Sequence, residues 1–491
     1  MIMLVSAMPA MGGAAALVAP PKTECAPDVV SSTAQRAGLV EFTDEPEAGT
    51  WTTWYADVDA LMPPAPPAPA SEQGVAELVE LKELQLSRTD EQVQQAQSYD
   101  VDAASAYWSD LMLHLIVAHS AKDGTKNPPR LARQLAMLET AMHDALVVTW
   151  AAKYCYERVP PSFVDPTLDP VLKARASPSY PSEHAAVAGV IQVLFPQFYP
   201  PNEEPLGFDG IVLNVTESRI VGGGNYRSDV DAGLAIGRAV GLQVLAARAN
   251  DGSANTAPVV VPTGPCLWKP TPPGFRAQPV EPHWGSVTPF LMSSGSQFRP
   301  PPPPACGSSD WNAQSQDIYE VSKTLTQRQK DIANYWAGGQ GTETPPGQWM
   351  HVALNATYAH GASTMETARV MSHTAVALAD AAIAAWDAKF TYWAERPVTT
   401  IRASLDPAWS SFITTPPFPG YVSGHSTFAG ASTNTIAHFY PDDAVMLSSL
   451  ATEAAMSRYY GGIHIRSDNE VGLVVGTNVA GLAIAHAELD P

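Results

Sequence analysis

Three short segments in the C-terminal half of the chain carry side chains that could hold a small anion. Their sequences are KFTYWAERP from Lys389, PFPGYVSGHSTFAG from Pro417 and SRYYGGIHIRSD from Ser457. Lys389, Arg396 and Arg458 supply three positive charges and many N–H donors. Arginine binds oxyanions through paired N–H groups, and lysine acts as a point charge. The pattern predicts a pocket for a tetrahedral oxyanion with a charge of about −2 or −3.

The second segment adds uncharged donors and an acid/base. Ser423, Gly424 and His425 follow a Pro- and Gly-rich loop and precede an apolar run. Ser423 is suited to cap a helix, and Gly424 allows an anion to approach the backbone closely. Free amides at the start of a helix attract anions. We expect the Ser423 hydroxyl and the Gly424 amide to contact the anion, and His425 to transfer protons.

The third segment contains the residue expected to bond to the anion itself. His464 can act on the central atom as a ligand or as a nucleophile, and Asp468, four residues later, can orient its ring. Lys389 and Arg396 are seven residues apart, so two helical turns would bring both cations to one face or one end of a helix. Alone, each residue would more often be an ordinary surface or core residue. Their occurrence together within 80 residues indicates a functional site.

The elements that position these residues are predicted to be helices. Segments rich in Ala, Leu, Val and Met have helical spacing at 131–153, 184–194, 364–390 and 471–489. Alternating strand patterns are scarce. We therefore predict an all-α chain.

The two halves of the chain resemble each other at a nearly constant offset. One set of identical residues is separated by 236 positions: Arg133, Asp144, Trp150 and Lys153 match Arg369, Asp380, Trp386 and Lys389. YPSEHAAVAG matches YVSGHSTFAG at an offset of 241, and the segment from Ser218 matches that from Ser457 at 239. This pattern predicts a duplicated helical bundle. Because Glu183 stands opposite Gly424 and Asn225 opposite His464, we expect the first copy to be a scaffold and the second to be the working site.

Length and composition limit the other possibilities. A chain of 491 residues is too long for one ordinary core. We predict an N-terminal extension with helical and Pro-rich segments at 1–100, a degenerate repeat at 101–298, a Pro-rich linker at 299–310 and a catalytic repeat at 311–491. The net charge of −21 argues against a protein that binds nucleic acid, and against a basic protein that binds membrane surfaces.

The cysteines and the N-terminus carry little information. Four cysteines are too few for a disulfide scaffold, and their pairing stays open. The uncharged stretch 2–21 makes a poor membrane helix and an imperfect export signal. We expect a soluble protein without a membrane span, for which export is one option.

The three segments resemble the signature of a known superfamily, shared by vanadium-dependent haloperoxidases, type-2 phosphatidic acid phosphatases and bacterial acid phosphatases. The signature is Lys-x6-Arg-Pro, Pro-Ser-Gly-His and Ser-Arg-x5-His-x3-Asp. The matching residues are Lys389, Arg396 and Pro397, then Ser423, Gly424 and His425, then Ser457, Arg458, His464 and Asp468. Val422 replaces the usual proline. The likeness to the haloperoxidases is closer, because Trp386 and Phe418 match aromatic residues that border the halide site in that family.

The resemblance implies two tandem, related four-helix bundles and a vanadate cofactor bonded to His464, with phosphate as an alternative occupant. Donors to the oxygens would be Lys389, Arg396, Arg458, Ser423 and the Gly424 amide. His425 would be the acid/base, with Asp468 behind His464. The implied activity is a haloperoxidase that oxidises chloride or bromide with hydrogen peroxide to hypohalous acid or an equivalent, which halogenates an organic acceptor. A homodimer is compatible with the resemblance.

Two other functions use the same residues. In a phosphatase, His464 would attack phosphorus and His425 would protonate the leaving alcohol. In a non-enzymatic oxyanion binder, the pocket would only sequester the anion, and the acid/base His425 argues against this reading.

Overall fold

The computed structural model describes residues 41–100, 103–172, 175–200 and 207–490. The prediction of an all-α fold is confirmed, since these residues form helices and no strand apart from an isolated bridge between Leu267 and Ala394. The signal-like stretch 2–21 and Cys25 lie outside the described residues.

The first half of the chain contains seven of the longer helices among the described residues. They are α1 (Glu72–Ser87), α2 (Asp90–Tyr99), α3 (Ala106–Ser120), α4 (Pro128–Tyr156), α5 (Glu183–Phe198), α6 (Gly207–Val221) and α7 (Arg227–Arg248). The second half contains α8 (Ser309–Lys323), α9 (Gln327–Tyr335), α10 (Thr344–His360), α11 (Thr364–Tyr392), α12 (Pro397–Ser404), α13 (Gly424–Phe439), α14 (Ala444–Tyr460) and α15 (Arg466–Ala487). Single turns lie at Val58–Leu61, Pro161–Val164, Pro46–Thr50, Trp284–Ser286 and Pro441–Asp443.

The helices of the two halves correspond in order and in length. The helices α4 and α11 each have 29 residues, α5 and α13 each have 16, and α7 and α15 each have 22. In each half the second of these helices packs against the third, and α4 packs along α11 to join the halves. This arrangement is consistent with a duplicated bundle.

Glycine allows the close packing within each bundle. A Cβ atom on Gly237 of α7 would lie 1.8 Å from the carbonyl oxygen of Ala186, and one on Gly476 of α15 would lie 2.1 Å from that of Thr427. Both distances are far below van der Waals contact, so these positions require glycine while the helices stay this close. The start of α13, which carries the candidate site, is thereby fixed against α15.

An extended arm precedes each bundle and makes the same contacts in both halves. In the first arm (44–56), the backbone amides of Trp54, Tyr55 and Ala56 donate to Asp144 at 2.7 to 2.9 Å. In the second arm (280–292), the corresponding amides donate to Asp380 at 2.7 to 2.9 Å. The repeated pattern therefore begins before residue 100, earlier than the predicted first repeat.

The Pro-rich stretches continue these arms and are packed against the bundles. The hydroxyl of Tyr180 donates to the carbonyl of Pro64 at 2.6 Å, and that of Tyr421 donates to Pro301 at 2.7 Å. A disulfide between Cys266 and Cys306 adds a further anchor in the second half. The stretch 299–310, predicted to be a Pro-rich linker, is thus held against the second bundle.

Two helices, α7 and α15, have the length and apolar composition that a membrane span would need. Each packs against a neighbouring helix of its own bundle, α5 or α13. An apolar composition is what such packing requires, so these helices do not show a membrane span.

Candidate active site

The spacing of Lys389 and Arg396 allowed them to lie on one face or at one end of a helix, but the structure does not place them on one helix face. The helix α11 ends at Tyr392, and Trp393 adopts a left-handed conformation with φ of 50°. The chain then turns, and Arg396 becomes the N-cap residue of α12, with Pro397 in its first turn. The two cations converge across a chain reversal instead of along a helix.

Both cations contact the loop 418–422. The ammonium of Lys389 donates to the carbonyls of Pro419, Gly420 and Val422 at 3.0, 2.8 and 2.5 Å. Nε of Arg396 donates to the carbonyl of Phe418 at 2.8 Å. The Phe418 ring centroid lies 5.2 Å from Nζ of Lys389 and 5.0 Å from the Arg396 guanidinium carbon. The two positive charges therefore lie on the same loop and beside the same ring.

The loop leads into the start of α13, where Ser423 is the N-cap residue and Gly424 is the first helical residue. The Ser423 hydroxyl accepts a long hydrogen bond from the amide of Ser426 at 3.4 Å. The amide of Ser423 donates to the carbonyl of Asp468 at 2.9 Å. The first amides of a helix have no acceptor within that helix, so those of Gly424 and His425 would be available to an anion at this helix start.

His464 lies between α14 and α15 and contacts two of the predicted site residues. Its Nδ1 is 2.9 Å from Oδ2 of Asp468, and its Nε2 is 3.0 Å from Nη1 of Arg396. Because a carboxylate accepts and a guanidinium donates, Nδ1 carries the proton and Nε2 carries the lone pair. The predicted relation between His464 and Asp468 is thus present as a hydrogen bond.

Arg458 and His425 close the site on the side of α9. Nη2 of Arg458 donates to the carbonyl of Ala333 at 3.3 Å, and its Nε donates to the hydroxyl of Ser457 at 3.0 Å. The main chain at Trp336 and Ala337, just after α9, hydrogen-bonds the ring of His425. This short helix was not assigned to the site from the sequence.

The site concentrates positive charge away from water. Lys389 and Arg396 are fully buried and Arg458 is 1% exposed. Burial, together with neighbouring cations, lowers the pKa of Lys389 well below its usual value and that of Arg458 to about 9. Burial also lowers the pKa of Arg396 to about 9, and the carboxylate of Asp468 opposes this shift. A negative charge placed beside these buried cations would therefore stabilise their charged forms.

The same field acts on the other titratable groups. Burial, then the charges of Arg396, Lys389 and Arg458, lowers the pKa of His464 well below its usual value. Burial raises the pKa of Asp468 to about 7, although Lys389 and Arg396 act in the opposite direction. The His464 ring is therefore neutral at physiological pH and keeps its Nε2 lone pair.

Two buried nitrogens of the site have no hydrogen-bond partner among the described residues. They are Nη2 of Arg396 and Nε2 of His425. A buried polar atom without a partner costs about 1–3 kcal/mol. Such atoms indicate that a polar ligand belongs in this pocket, with a donor from Arg396 on one side and an imidazole on the other.

Trp386 and Phe418 form the apolar wall of the site. Their ring centroids are 5.1 Å apart, and a Cβ atom on Gly424 would lie 3.4 Å from the Trp386 ring. Nε1 of Trp386 donates to the carbonyl of Val280 in the second arm at 3.2 Å. The amide of Val280 donates to Pro417, next to Phe418.

The sequence reasoning missed the residues that support the site through their main chain. Val280, Ala333 and Trp336 offer carbonyl or amide groups, and a backbone contact places no demand on the residue type. No motif could therefore have marked them. The structure brings together all the predicted site residues, while their chemical roles stay a prediction.

Comparisons with known families match the two halves separately. The model of the VCPO second helical-bundle domain matches residues 369–449 and 445–489, and the PAP2 superfamily model matches 135–252. The vanadium chloroperoxidase of Curvularia inaequalis is 25% identical over 68% of this chain. The match spans 65% of the length of that relative.

Solved structures share the fold. A bacterial vanadium-dependent iodoperoxidase superposes with a TM-score of 0.65 at 22% identity, over 79% of this chain and 97% of the other. A holo-type bacterial vanadium-dependent chloroperoxidase gives 0.57 at 16% identity, over 75% of this chain and 94% of the other. The resemblance predicted from the sequence is confirmed: this chain is similar to vanadium-dependent haloperoxidases, and separate parts of it match the VCPO second helical-bundle and PAP2 superfamily models.

Proposed function

We propose that this protein is a vanadate-dependent haloperoxidase, which oxidises halide with hydrogen peroxide to hypohalous acid or an equivalent that halogenates organic compounds. The observation that carries the proposal is the buried positive charge around a neutral His464. Lys389, Arg396 and Arg458 are buried, and the nearby carboxylate is that of Asp468. The pocket therefore keeps positive charge that an oxyanion would balance. The relation to vanadium haloperoxidases favours vanadate as this anion.

The residues present fit a vanadate ion. With Nδ1–H bonded to Asp468, Nε2 of His464 would bind vanadium once Nη1 of Arg396, now 3.0 Å away, donates to an oxygen of the anion instead. Nη2 of Arg396 has protons without an acceptor among the described residues. Further donors would be Arg458, Ser423 and the Gly424 amide. When bound, vanadate supplies the activation of peroxide oxygen for transfer to a halide.

Lys389 would contribute charge more than a direct hydrogen bond. Its ammonium already donates to three carbonyls of the loop 419–422. Nζ therefore fixes the loop that precedes Ser423 and places a positive charge beside Phe418. A direct contact with the anion would require Nζ to release one of these carbonyls.

His425 would move the proton. Its Nε2 is buried without a partner among the described residues, and the main chain at Trp336 and Ala337 orients the ring. Burial, then the charge of Arg458, lowers the pKa of His425 well below its usual value. The ring is therefore neutral and can accept a proton at Nε2 from hydrogen peroxide that enters the pocket.

Trp386 and Phe418 would form the halide side of the pocket. Phe418 contacts the Trp386 ring and also lies beside two cations, Lys389 and Arg396. A polarisable anion such as chloride or bromide would be held there by charge in a water-poor surrounding.

A phosphatase is the second candidate, because the PAP2 superfamily model matches residues 135–252 of the first bundle, which the internal repeat relates to the bundle that carries the site. The same donors would hold a phosphate group. Nε2 of His464 would attack phosphorus, and a protonated His425 would give its proton to the leaving alcohol oxygen. Water would then break the P–N bond of the phosphohistidine and release phosphate.

One experiment separates the two functions. Purified protein is incubated with orthovanadate, hydrogen peroxide and bromide, and bromination of a phenolic dye is followed. A parallel sample without vanadate receives a generic phosphomonoester. We expect vanadate-dependent bromination and no phosphate release. Bromination that does not depend on vanadate, or phosphate release without bromination, would reject the haloperoxidase proposal.

Two histidine variants test the assigned roles. His464→Ala is expected to lose vanadate binding, whereas His425→Ala should bind vanadate and lose turnover. His351→Ala is the matched control, because His351 is exposed and paired with Glu343 at the surface. Vanadate binding of unchanged affinity in His464→Ala would contradict the ligand assignment.

A further inference from the structure

The first bundle contains a small pocket at the position that corresponds to the candidate active site. The pocket has a volume of about 30 Å³. Its walls include Lys153 and Arg219, which the internal repeat aligns with Lys389 and Arg458. Asn225 also lines it, where the second bundle has its ligand histidine. The first bundle has therefore kept the pocket and two of its cations.

Glu183 places a carboxylate in this pocket. It is the first residue of α5 and follows the capping residue Ser182, as Gly424 follows Ser423 in α13. Its Oε2 lies 3.0 Å from Nζ of Lys153, and the residue is 3% exposed. Where the second bundle offers a bare backbone amide, the first bundle has a buried negative charge.

Two arginines also act on this carboxylate. Nε of Arg175 lies 3.6 Å from Oε1 of Glu183. Burial lowers the pKa of Arg219, and the negative charge of Glu183 opposes that shift more than any other neighbour. Nη1 of Arg219 is also paired with Asp100 at 2.9 Å. Three cations thus converge on one glutamate.

Arg175 replaces the arginine that the repeat would predict. Arg158, the counterpart of Arg396, is paired with Asp229 at 2.7 Å and with Glu77 at 2.9 Å. Its charge is therefore used elsewhere. The loop before α5 supplies Arg175 as the third cation of the pocket.

The carboxylate is charged although it is buried. Burial alone would raise the pKa of Glu183, but Lys153, His184 and Arg175 bring it well below its usual value. A carboxylate with its charge balanced by three cations has the environment that an oxyanion would have in the second bundle.

We propose that the first bundle contains an anion-binding pocket in which the carboxylate of Glu183 takes the place of the oxyanion, so that shortening this side chain opens a second site for orthophosphate or orthovanadate. The native glutamate would then confine the anion to one site per chain. The proposal does not depend on haloperoxidase activity, because it concerns charge and space alone.

Space and charge both support the exchange. A glutamate side chain and orthophosphate contain the same number of non-hydrogen atoms, so Glu183→Gly frees a comparable volume beside the existing cavity. Lys153 would lose the carboxylate it is paired with, while Asp100 would still pair with Arg175 and Arg219, and Asp44 would still act on Lys153 and Arg175. Glycine at this position would expose the amide, as it does in α13.

The test counts bound orthophosphate by equilibrium dialysis for the wild-type chain and for Glu183→Gly. We expect one additional equivalent per chain in the variant, whatever number the wild-type chain binds. If the proposed active site bound no anion, the counts would be zero and one. Failure of the proposed function and failure of this inference are therefore distinguishable.

Three further variants make the result specific. Glu183→Ala frees nearly the same space with a better helix former and should also gain one equivalent. Glu183→Gln keeps the shape of the side chain and should gain none. Adding Lys153→Met to Glu183→Gly should remove the gained equivalent.

Two results would overturn the proposal. One is a folded Glu183→Gly or Glu183→Ala chain that binds no more orthophosphate than the wild type. The other concerns variants that are recovered unfolded: orthophosphate should then raise their refolding yield, and no increase would contradict an anion pocket.

Discussion

Substituting Gly476 by alanine tests whether the close contact between α13 and α15 sets the geometry of the site. The added Cβ would lie 2.1 Å from the carbonyl oxygen of Thr427 and 2.7 Å from the amide nitrogen of Ala431. Ordinary contact begins near 3.4 Å, so α15 must move away by about 1.3 Å. Both contacts are with backbone atoms, which cannot rotate aside.

Gly481→Ala on the same helix is the matched control. A Cβ there would have no atom within 4 Å, so the variant should gain about 1 kcal/mol from the better helix propensity of alanine. Gly476→Ala has the same gain, so the difference between the variants isolates the steric cost. Overpacking costs about 1–3 kcal/mol, and backbone contacts place Gly476→Ala at the upper end. We expect its free energy of unfolding to be about 3 kcal/mol below that of Gly481→Ala.

The same shift should reach the site. Asp468 lies in the first turn of α15, and its carbonyl accepts from the amide of Ser423 at 2.9 Å. Moving α15 displaces His464 and Asp468 from the start of α13, and we expect vanadate affinity to fall about 10- to 100-fold. Urea denaturation and equilibrium binding measure the two effects. Equal stability of the two alanine variants, or unchanged vanadate affinity in a destabilised Gly476→Ala, would refute the reasoning.

Three other changes have expected outcomes that differ in their physical cause. Asp380→Asn should lower the free energy of unfolding, measured by urea denaturation, by about 1–3 kcal/mol, because the Asp380 carboxylate accepts three backbone amides of the second arm. The control Asp442→Asn, at an exposed position, should change it by about 0.5 kcal/mol or less. Burial lowers the pKa of His373 well below its usual 6.5, so below about pH 6.5 the unfolded chain takes up a proton that the folded chain does not. The free energy of unfolding therefore falls by about 1.4 kcal/mol for each pH unit below that point. His373→Gln should remove this part of the slope in a pH series, and an unchanged slope would contradict the assignment. Replacing Cys266 and Cys306 by serine opens a loop with a sequence separation of 40 and should lower the free energy of unfolding by about 4 kcal/mol. If reductant lowered the melting temperature of the serine variant as much as that of the wild type, the result would argue against this disulfide.

The helical class could be predicted from the sequence because it depends on side-chain type. Lys389, Arg458 and His464, predicted as site residues on the same basis, are buried and act on one another electrostatically, while their roles stay a prediction. Spacing was a weaker guide. The interval between Lys389 and Arg396 has helical periodicity, yet the helix ends at Tyr392, and Pro397 starts the next one. A proline in the first turn of a helix was the available signal for this boundary.

The arms and the Pro-rich stretches could not be predicted in the same way. Asp380 binds three consecutive amides of the second arm, and Tyr421 binds a carbonyl of the Pro-rich stretch. Main-chain groups are present in every residue, so only the side-chain partner of each contact can be recognised from the sequence. Asp144 and Asp380 were recognised as identical residues of the repeat, but their role became visible only with the arms in place.

The two bundles balance their buried cations in different ways. Burying three cations is costly unless negative charge accompanies them. In the first bundle Glu183 and Asp100 supply that charge within the chain. In the second bundle Gly424 leaves the position open, and Arg396 keeps a nitrogen without a partner among the described residues. Because α4 packs along α11, the first bundle supports the one in which we propose that an anion balances the buried cations.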